Sequence, residues 1–273
     1  MADSRYRSYV AIGDSLSEGL GDFAFEWFDN REGCGWTDRL ATLLTIEAED
    51  RGNTFHYANL AIRGSKLRKI MTTQLDAALA LKPDFITVMA GANDIMTKSK
   101  KLPELERIYR EGLMRIQASG AKVVVANIMN PVHLRVFSPM AARAARMTAL
   151  IERSAAELGI DVIDVHRIGE LRDLRYWADD MVHFSGHGHI MVANRAAAVM
   201  GLEYRMPEAE LEPAPDLSRS IRETVRWIRA YLLPFFKRKL TGRSSGDGFE
   251  AKYPQFTRIN HEQFETFQVV LAA

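Results

Sequence analysis

The chain of 273 residues is predicted to adopt an α/β fold, in which helices cover a parallel sheet. Two observations predict this fold class. Short apolar runs alternate along the chain with longer segments whose apolar residues recur at the helical period. Several of the short runs are continuously apolar, which is typical of strands covered on both faces. Strands that alternate with helices form right-handed βαβ units, and these units build a parallel sheet.

The elements follow one another regularly along the first 200 residues. Strands are expected at residues 9–12, 55–59, 85–89, 123–126 and 160–165. Amphipathic helices are expected at residues 37–45, 67–79, 105–116, 138–158 and 186–200. Ser138 and Pro139 supply a cap and a first-turn proline for the fourth of these helices.

Composition limits the function classes that the chain can belong to. With 47% hydrophobic and 26% charged residues, the chain can bury a substantial core. The net charge of +1 gives no argument for a nucleic-acid partner. Cys34 is the only cysteine, so an intrachain disulfide is excluded. The sequence shows no hydrophobic signal segment before the first strand and no apolar run of the roughly 20 residues that span a bilayer. These observations predict a cytoplasmic protein.

Four of the predicted strands are followed by residues that could carry chemistry. Ser15 follows the first strand, Gly64 the second, Asn93 the third, and Asp180 and His183 the fifth. Because the carboxyl ends of parallel strands meet at one edge of the sheet, these residues are expected to converge there.

A serine hydroxyl becomes a good nucleophile when an adjacent base takes its proton. His183 is the candidate base, and Asp180, three residues earlier, can orient its imidazole. The oxyanion that forms on attack needs hydrogen-bond donors. The backbone N–H groups of Ser15 and Gly64 and the side-chain amide of Asn93 are the candidates.

These segments together resemble the SGNH (GDSL) hydrolase family. The four matching blocks are residues 13–16 (Gly-Asp-Ser-Leu), 59–64 (Asn-Leu-Ala-Ile-Arg-Gly), 91–94 (Gly-Ala-Asn-Asp) and 180–183 (Asp-Met-Val-His). The resemblance covers about residues 8–201. It implies a flavodoxin-like three-layer sandwich with a five-stranded parallel sheet.

The resemblance also implies a function. It predicts esterase, lipase or acyl-transfer chemistry with Ser15, His183 and Asp180 as the triad, and Asp14 and Asp94 as supporting residues that hold the turns. We therefore expect a serine hydrolase that cleaves carboxylic esters of short to medium acyl chains through an acyl-enzyme. Its partner would be a small-molecule ester, and it would need no cofactor and no metal. Loop shape would set the acyl length.

Three alternatives remain open at this point. An acyltransferase of the same family would use the same residues. A metal-dependent phosphoesterase could use Asp180, His183, His187 and His189 as ligands, but Leu16 stands where that class has a histidine, and the segment Ala92-Asn93-Asp94 lacks the histidine that the class has there. His187 and His189 are instead expected to cap or pack the last core helix. A non-catalytic binding module on this fold would have no reason to combine serine, histidine and aspartate.

The sequence changes character after Gly201, which predicts a hydrolase domain at 1–201 and an extension at 202–273. Prolines punctuate an acidic connector, and a capped amphipathic helix carrying Trp227, Tyr231 and Phe235 is expected after it. The rest of the extension is expected to be partly irregular. Such an aromatic stripe needs covering. We expect it to dock on its own domain or to form a homodimer, in preference to binding an anionic membrane surface.

Overall fold

A six-stranded sheet forms the centre of the protein. The computed structural model describes residues 6–22, 34–96, 102–132, 137–208, 211, 229, 244–259 and 270–271. The strands of this sheet are β1 (Ser8–Gly13), β2 (His56–Asn59), β3 (Phe85–Met89), β4 (Lys122–Ala126), β5 (Asp161–Ile163) and β7 (Tyr253–Thr257). A separate pair is formed by β6 (Tyr204–Arg205) and β8 (Val270–Leu271).

The first five strands are parallel and run in the order β2-β1-β3-β4-β5. This is the flavodoxin-like order, and the predicted five-stranded parallel sheet is confirmed. The residues of β1 from Tyr9 to Ile12 are completely buried, because both faces of the sheet are covered. In this topology the chain reverses its direction of progression between β1 and β3. The loops that follow those two strands therefore flank a crevice.

The helices flank the sheet on both sides. They are α1 (Ser15–Glu18), α2 (Trp36–Glu49), α3 (Leu67–Lys69), α4 (Leu75–Ala80), α5 (Ala92–Ile95), α6 (Leu102–Ala118), α7 (Ser138–Leu158) and α8 (Gly186–Met200). A π-helical turn, Ile70–Gln74, joins α3 to α4. Helix α2 packs against α8, and α6 packs against α7. The five helices predicted within residues 37–200 are present, with α2 extending four residues beyond its expected end.

The sixth strand was not predicted from the sequence. Strand β7 lies antiparallel to β2 at the edge of the sheet, with Tyr57 opposite Thr257 and Asn59 opposite Tyr253. Pro254 argues against a strand in the sequence, because proline cannot donate to a sheet ladder. It is tolerated here because β7 is an edge strand. The predicted helix carrying Trp227, Tyr231 and Phe235 lies outside the described residues.

A buried ion pair fastens this part of the extension to the core. Lys252 Nζ lies 3.0 Å from Asp38 Oδ2, and both side chains are at most 1% exposed. Asp38 also accepts hydrogen bonds from Gly35 N and Tyr57 Oη. The segment 252–257 is therefore part of the folded core. None of the helices within the described ranges is both long and apolar enough to cross a bilayer.

Candidate active site

Ser15 lies at the carboxyl end of β1, on the first turn of a short helix. The strand ends at Gly13, and Asp14 caps α1 by accepting a hydrogen bond from Leu16 N at 3.2 Å. Gly13 has no room for a side chain, because a Cβ there would lie 2.4 Å from Ser17 Oγ. The tight corner leaves Ser15 half-buried, while Asp14 is almost completely buried. The serine therefore stands at the crevice between β1 and β3.

Asp180 and His183 form a hydrogen-bonded pair. His183 Nδ1 lies 2.6 Å from Asp180 Oδ2, and Asp180 Oδ1 accepts from the backbone N–H groups of Val182 and His183. Met181 adopts a positive φ of 58°, which folds the segment back on itself. Burial raises the pKa of Asp180. The hydrogen bonds from His183 and from the two backbone groups outweigh burial, so this pKa lies below its usual value.

An ionised Asp180 fixes the tautomer of His183. A carboxylate can only accept hydrogen bonds, so the proton of a neutral His183 lies on Nδ1. Nε2 then carries a lone pair that can accept a proton. The side chain of His183 is 18% exposed and that of Asp180 is 24% exposed, which leaves the imidazole accessible.

The loop containing His183 approaches the corner at Ser15. Gly21, just after α1, has a φ of 105°, and a Cβ there would lie 3.0 Å from His183 Cβ. Burial raises the pKa of Asp14 to about 6, and the nearby His183 lowers it in part. Within the described part of the chain, neither Ser15 Oγ nor His183 Nε2 has a hydrogen-bond partner. In enzymes that use a serine–histidine pair, the hydrogen bond between the two commonly tightens only when substrate binds.

Asn93 links the ends of β3 and β1. Its Nδ2 donates to Asp14 Oδ2 and to Ser65 O, both at 3.1 Å. The turn that presents Asn93 begins at Gly91, whose φ of 110° favours glycine. The amide therefore lies between the residue before Ser15 and the residue after Gly64.

Gly64 lies in the loop after β2, with a φ of 71°. This loop is tied to α1, because Glu18 accepts hydrogen bonds from Arg63 N at 2.5 Å and from Arg63 Nε at 2.7 Å. The structure thus connects Gly64, Asn93 and the Ser15 corner through their immediate neighbours.

A family model for the GDSL-like lipase/acylhydrolase family matches residues 11–190. The chain belongs to this family. The resemblance to GDSL hydrolases is thereby confirmed, and the protein is a carboxylic-ester hydrolase. No curated protein is detectably similar in sequence.

Solved structures show the same GDSL fold at low sequence identity. The acetylxylan esterase Axe2 from Geobacillus stearothermophilus is 18% identical, with a TM-score of 0.58, over 72% of this chain and 95% of that one. LAE5, an α/β hydrolase enzyme from the metagenome of Lake Arreo in Spain, is 23% identical, with the same TM-score and the same coverage of both chains.

Two further polar side chains hold the backbone near the candidate site. Gln74 was not predicted from the sequence, whereas Asp94 was predicted as a supporting residue without its partner. Gln74, in the π-helical turn, accepts from Gly13 N at 2.8 Å and donates to Gly13 O and Ser65 Oγ. Asp94, predicted as a supporting residue, accepts from Leu67 N at 2.8 Å. Burial raises the pKa of Asp94, and this hydrogen bond opposes the rise. Gln74 could not be recognised, because the amide of a glutamine within a helical pattern carries no signal of its own.

Both ring nitrogens of His189 are hydrogen-bonded to backbone groups, and the side chain is completely buried. Trp36 N donates to its Nδ1 at 3.1 Å, so Nε2 carries the proton and donates to Leu20 O at 3.0 Å. Burial, with a contribution from Arg39, lowers its pKa to about 3. His187 lies edge-on to Tyr176. No group of three or more potential metal ligands is found among the described residues.

Proposed function

We propose that this GDSL enzyme hydrolyses carboxylic esters of short to medium acyl chains with Ser15, His183 and Asp180 as its triad. The observation that carries the proposal is the 2.6 Å hydrogen bond between His183 Nδ1 and Asp180 Oδ2, formed beside the corner that presents Ser15. It leaves Nε2 as the proton acceptor. The buried partners of His189 argue against the metal-dependent alternative, because ligation would break two hydrogen bonds.

The reaction has two halves. Ser15 Oγ attacks the ester carbonyl carbon while His183 Nε2 takes the hydroxyl proton, which gives a tetrahedral oxyanion. Collapse of this intermediate breaks the bond to the alcohol oxygen, which receives the proton from His183. Water then attacks the acyl-enzyme, with His183 again as base, and releases the acid and free Ser15. Asp180 stabilises the imidazolium at both stages.

The oxyanion is assigned to three donors: the backbone N–H groups of Ser15 and Gly64 and the side-chain amide of Asn93. Asn93 Nδ2 already donates to Asp14 and Ser65, both at 3.1 Å, an ordinary hydrogen-bond distance. Binding the oxyanion therefore requires this amide to share or exchange one partner. The charged oxygen is a stronger acceptor than the neutral Ser65 carbonyl, so exchange of that partner favours the transition state over the ground state.

The remaining assignments concern location, organisation and assembly. We assign the chemistry to residues 1–201 and a supporting role to the extension 202–273, in a cytoplasmic protein that acts on small-molecule esters. A homodimer through the extension is the preferred assembly, with membrane contact as the alternative.

The test is a panel of p-nitrophenyl esters from acetyl to decanoyl, with Ser15→Ala as the decisive variant. Acetyl esters belong in the panel because the Geobacillus enzyme of the same fold is an acetylxylan esterase. Ser15→Ala should remove nearly all turnover, and a serine-directed phosphonate should label the wild-type protein at Ser15. Ser119→Ala, at the end of α6, is the matched control and should behave as wild type. Equal rates for Ser15→Ala and wild type would refute the proposal.

A further inference from the structure

The extension forms a tight turn that lies directly on the loop of Gly64. This C-terminal turn, residues 244–247, is closed by hydrogen bonds from Asp247 N to Ser244 O and from Ser244 N to Asp247 Oδ2. Gly246 N also donates to Ser244 Oγ at 3.2 Å. The turn lies outside residues 11–190, the part of the chain that the family model matches. It is an addition to the family core.

The C-terminal turn touches Gly64 itself. Ser244 Oγ donates to Gly64 O at 3.4 Å. A Cβ on Gly64 would lie 2.4 Å from Ser245 Oγ and 2.6 Å from Ser244 Oγ. Gly64 thus has two separate reasons to be glycine, its φ of 71° and the hydroxyls packed against it.

The turn also contacts the residue before Gly64. A Cβ on Gly246 would lie 2.2 Å from Arg63 O, so the two backbones are in close contact. Phe249, just beyond the turn, lies under the Arg63 guanidinium, 4.3 Å from ring centroid to Cζ. On its other side Arg63 is bonded to Glu18 of α1. The Arg63–Gly64 backbone is therefore held between α1 and the C-terminal turn.

The turn is itself firmly anchored. Three residues beyond Phe249, Lys252 forms the buried ion pair with Asp38, and β7 then joins the sheet beside β2. The C-terminal turn is thus attached to the same strand that leads into the Gly64 loop. Because the C-terminal turn is fixed at this end, it can hold the adjacent Arg63–Gly64 backbone in place.

We propose that the C-terminal turn positions the Gly64 N–H for the oxyanion, with Ser244 and Gly246 as positioning residues. The inference rests on the proposed function, in which Gly64 donates to that oxygen. Misplacing a catalytic donor by about 1 Å can cost up to roughly 100-fold in rate, and such a loss appears in kcat because the donor acts on the transition state. A purely structural clamp would change the melting temperature and leave kcat unaltered.

The experiment compares two glycines of the same segment in the full-length protein. Gly246→Ala forces a methyl group against Arg63 O. Gly248 has a φ of 84°, so Gly248→Ala strains the same segment, but its methyl group would meet no atom within 4 Å. Gly246→Ala should lower kcat by roughly 10- to 100-fold on the best p-nitrophenyl ester, with KM within about threefold of wild type. Gly248→Ala should retain the wild-type kcat. Ser244→Ala, which loses the bond to Gly64 O, should lower kcat by about fivefold.

A second readout isolates the oxyanion. A trifluoromethyl ketone adds Ser15 Oγ to its carbonyl carbon and forms a tetrahedral oxyanion, so its Ki should rise in Gly246→Ala in parallel with the fall in kcat. Thermal melting is recorded for every variant. If Gly246→Ala does not fold, Ser244→Ala decides the matter by the same two readouts.

The outcomes separate this inference from the proposed function. A fall in kcat and a rise in Ki, both absent in Gly248→Ala, support the positioning role. Wild-type kcat in both Gly246→Ala and Ser244→Ala, or a change in KM alone, overturns it while ester hydrolysis by Ser15 stands. If wild-type hydrolysis does not depend on Ser15, the proposed function fails and this inference fails with it.

Discussion

Asn93 Nδ2 donates a hydrogen bond to Asp14 Oδ2 at 3.1 Å and so joins the turn after β3 to the corner after β1. The bond bridges the crevice at which the flavodoxin-like sheet changes direction. Because Asp14 directly precedes Ser15, this hydrogen bond also holds the amide of Asn93 close to the candidate nucleophile. Two of the family blocks that lie almost 80 residues apart are thereby held in one arrangement.

The first prediction concerns this amide. Asn93→Ala should lower kcat by roughly 10²- to 10³-fold and change KM little, because the amide is proposed to bind developing charge and not the ground-state ester. Steady-state kinetics on the best ester of the panel measure both constants. An effect on KM alone would show that Asn93 merely binds substrate.

The second prediction separates the roles of two histidines. His183→Ala should abolish turnover and leave the melting temperature near that of wild type. His189→Ala should instead destabilise the fold by about 2–4 kcal/mol, because it leaves Trp36 N and Leu20 O buried without their partner, while the folded fraction stays active. Chemical denaturation and active-site titration with a phosphonate measure the two effects.

EDTA tests the metal-dependent alternative in the same assays, with His187→Ala as a milder companion variant. A serine triad should be indifferent to the chelator. Loss of activity with EDTA that Mn²⁺ or Zn²⁺ restores would instead identify a metal-dependent phosphoesterase.

The third prediction concerns pH. Burial raises the pKa of Asp14 from 3.8 to about 6 in the folded protein, so the folded state holds this proton more tightly than the unfolded chain. The contribution of Asp14 to the free energy of unfolding is therefore greatest below pH 4 and is lost as pH rises to about 6. At 1.36 kcal/mol per pKa unit, the loss is about 3 kcal/mol.

Asp14→Asn should remove this pH dependence while keeping a good helix cap. Its unfolding free energy relative to wild type should rise between pH 4 and pH 7. Asp161→Asn, half-exposed on the surface, is the control and should show a much smaller change. A parallel pH dependence in wild type and Asp14→Asn would contradict the assignment.

The sequence predicted local features better than contacts between distant segments. The strands and the Asp180–His183 hydrogen bond follow from patterns or spacings of a few residues. The bonds of Gln74 to Gly13 and of Lys252 to Asp38 join residues 61 and 214 positions apart. No local pattern specifies such partners, because they meet only after the sheet has formed.

The fourth prediction concerns the buried ion pair of the extension. Lys252→Met should destabilise the fold by about 3–5 kcal/mol, because it leaves the Asp38 carboxylate buried without its cation. The double variant Lys252→Met/Asp38→Asn should recover part of that loss, since no charge is then left unpaired. Arg258→Ala, an exposed neighbour on the same segment, serves as the control. Equal stability of Lys252→Met and wild type would show that the pair contributes nothing.

The last prediction concerns the extension as a whole. Truncation after Gly201 removes β7 from the edge of the sheet, together with Lys252 and the C-terminal turn. The truncated protein should melt at a lower temperature and be less soluble, because β2 becomes an exposed edge and Asp38 loses its cation. Light scattering of both proteins tests the homodimer. Flotation with anionic liposomes tests the membrane alternative. If the full-length protein floats with the liposomes, and the truncated protein is equally stable but does not float, the extension is a membrane anchor.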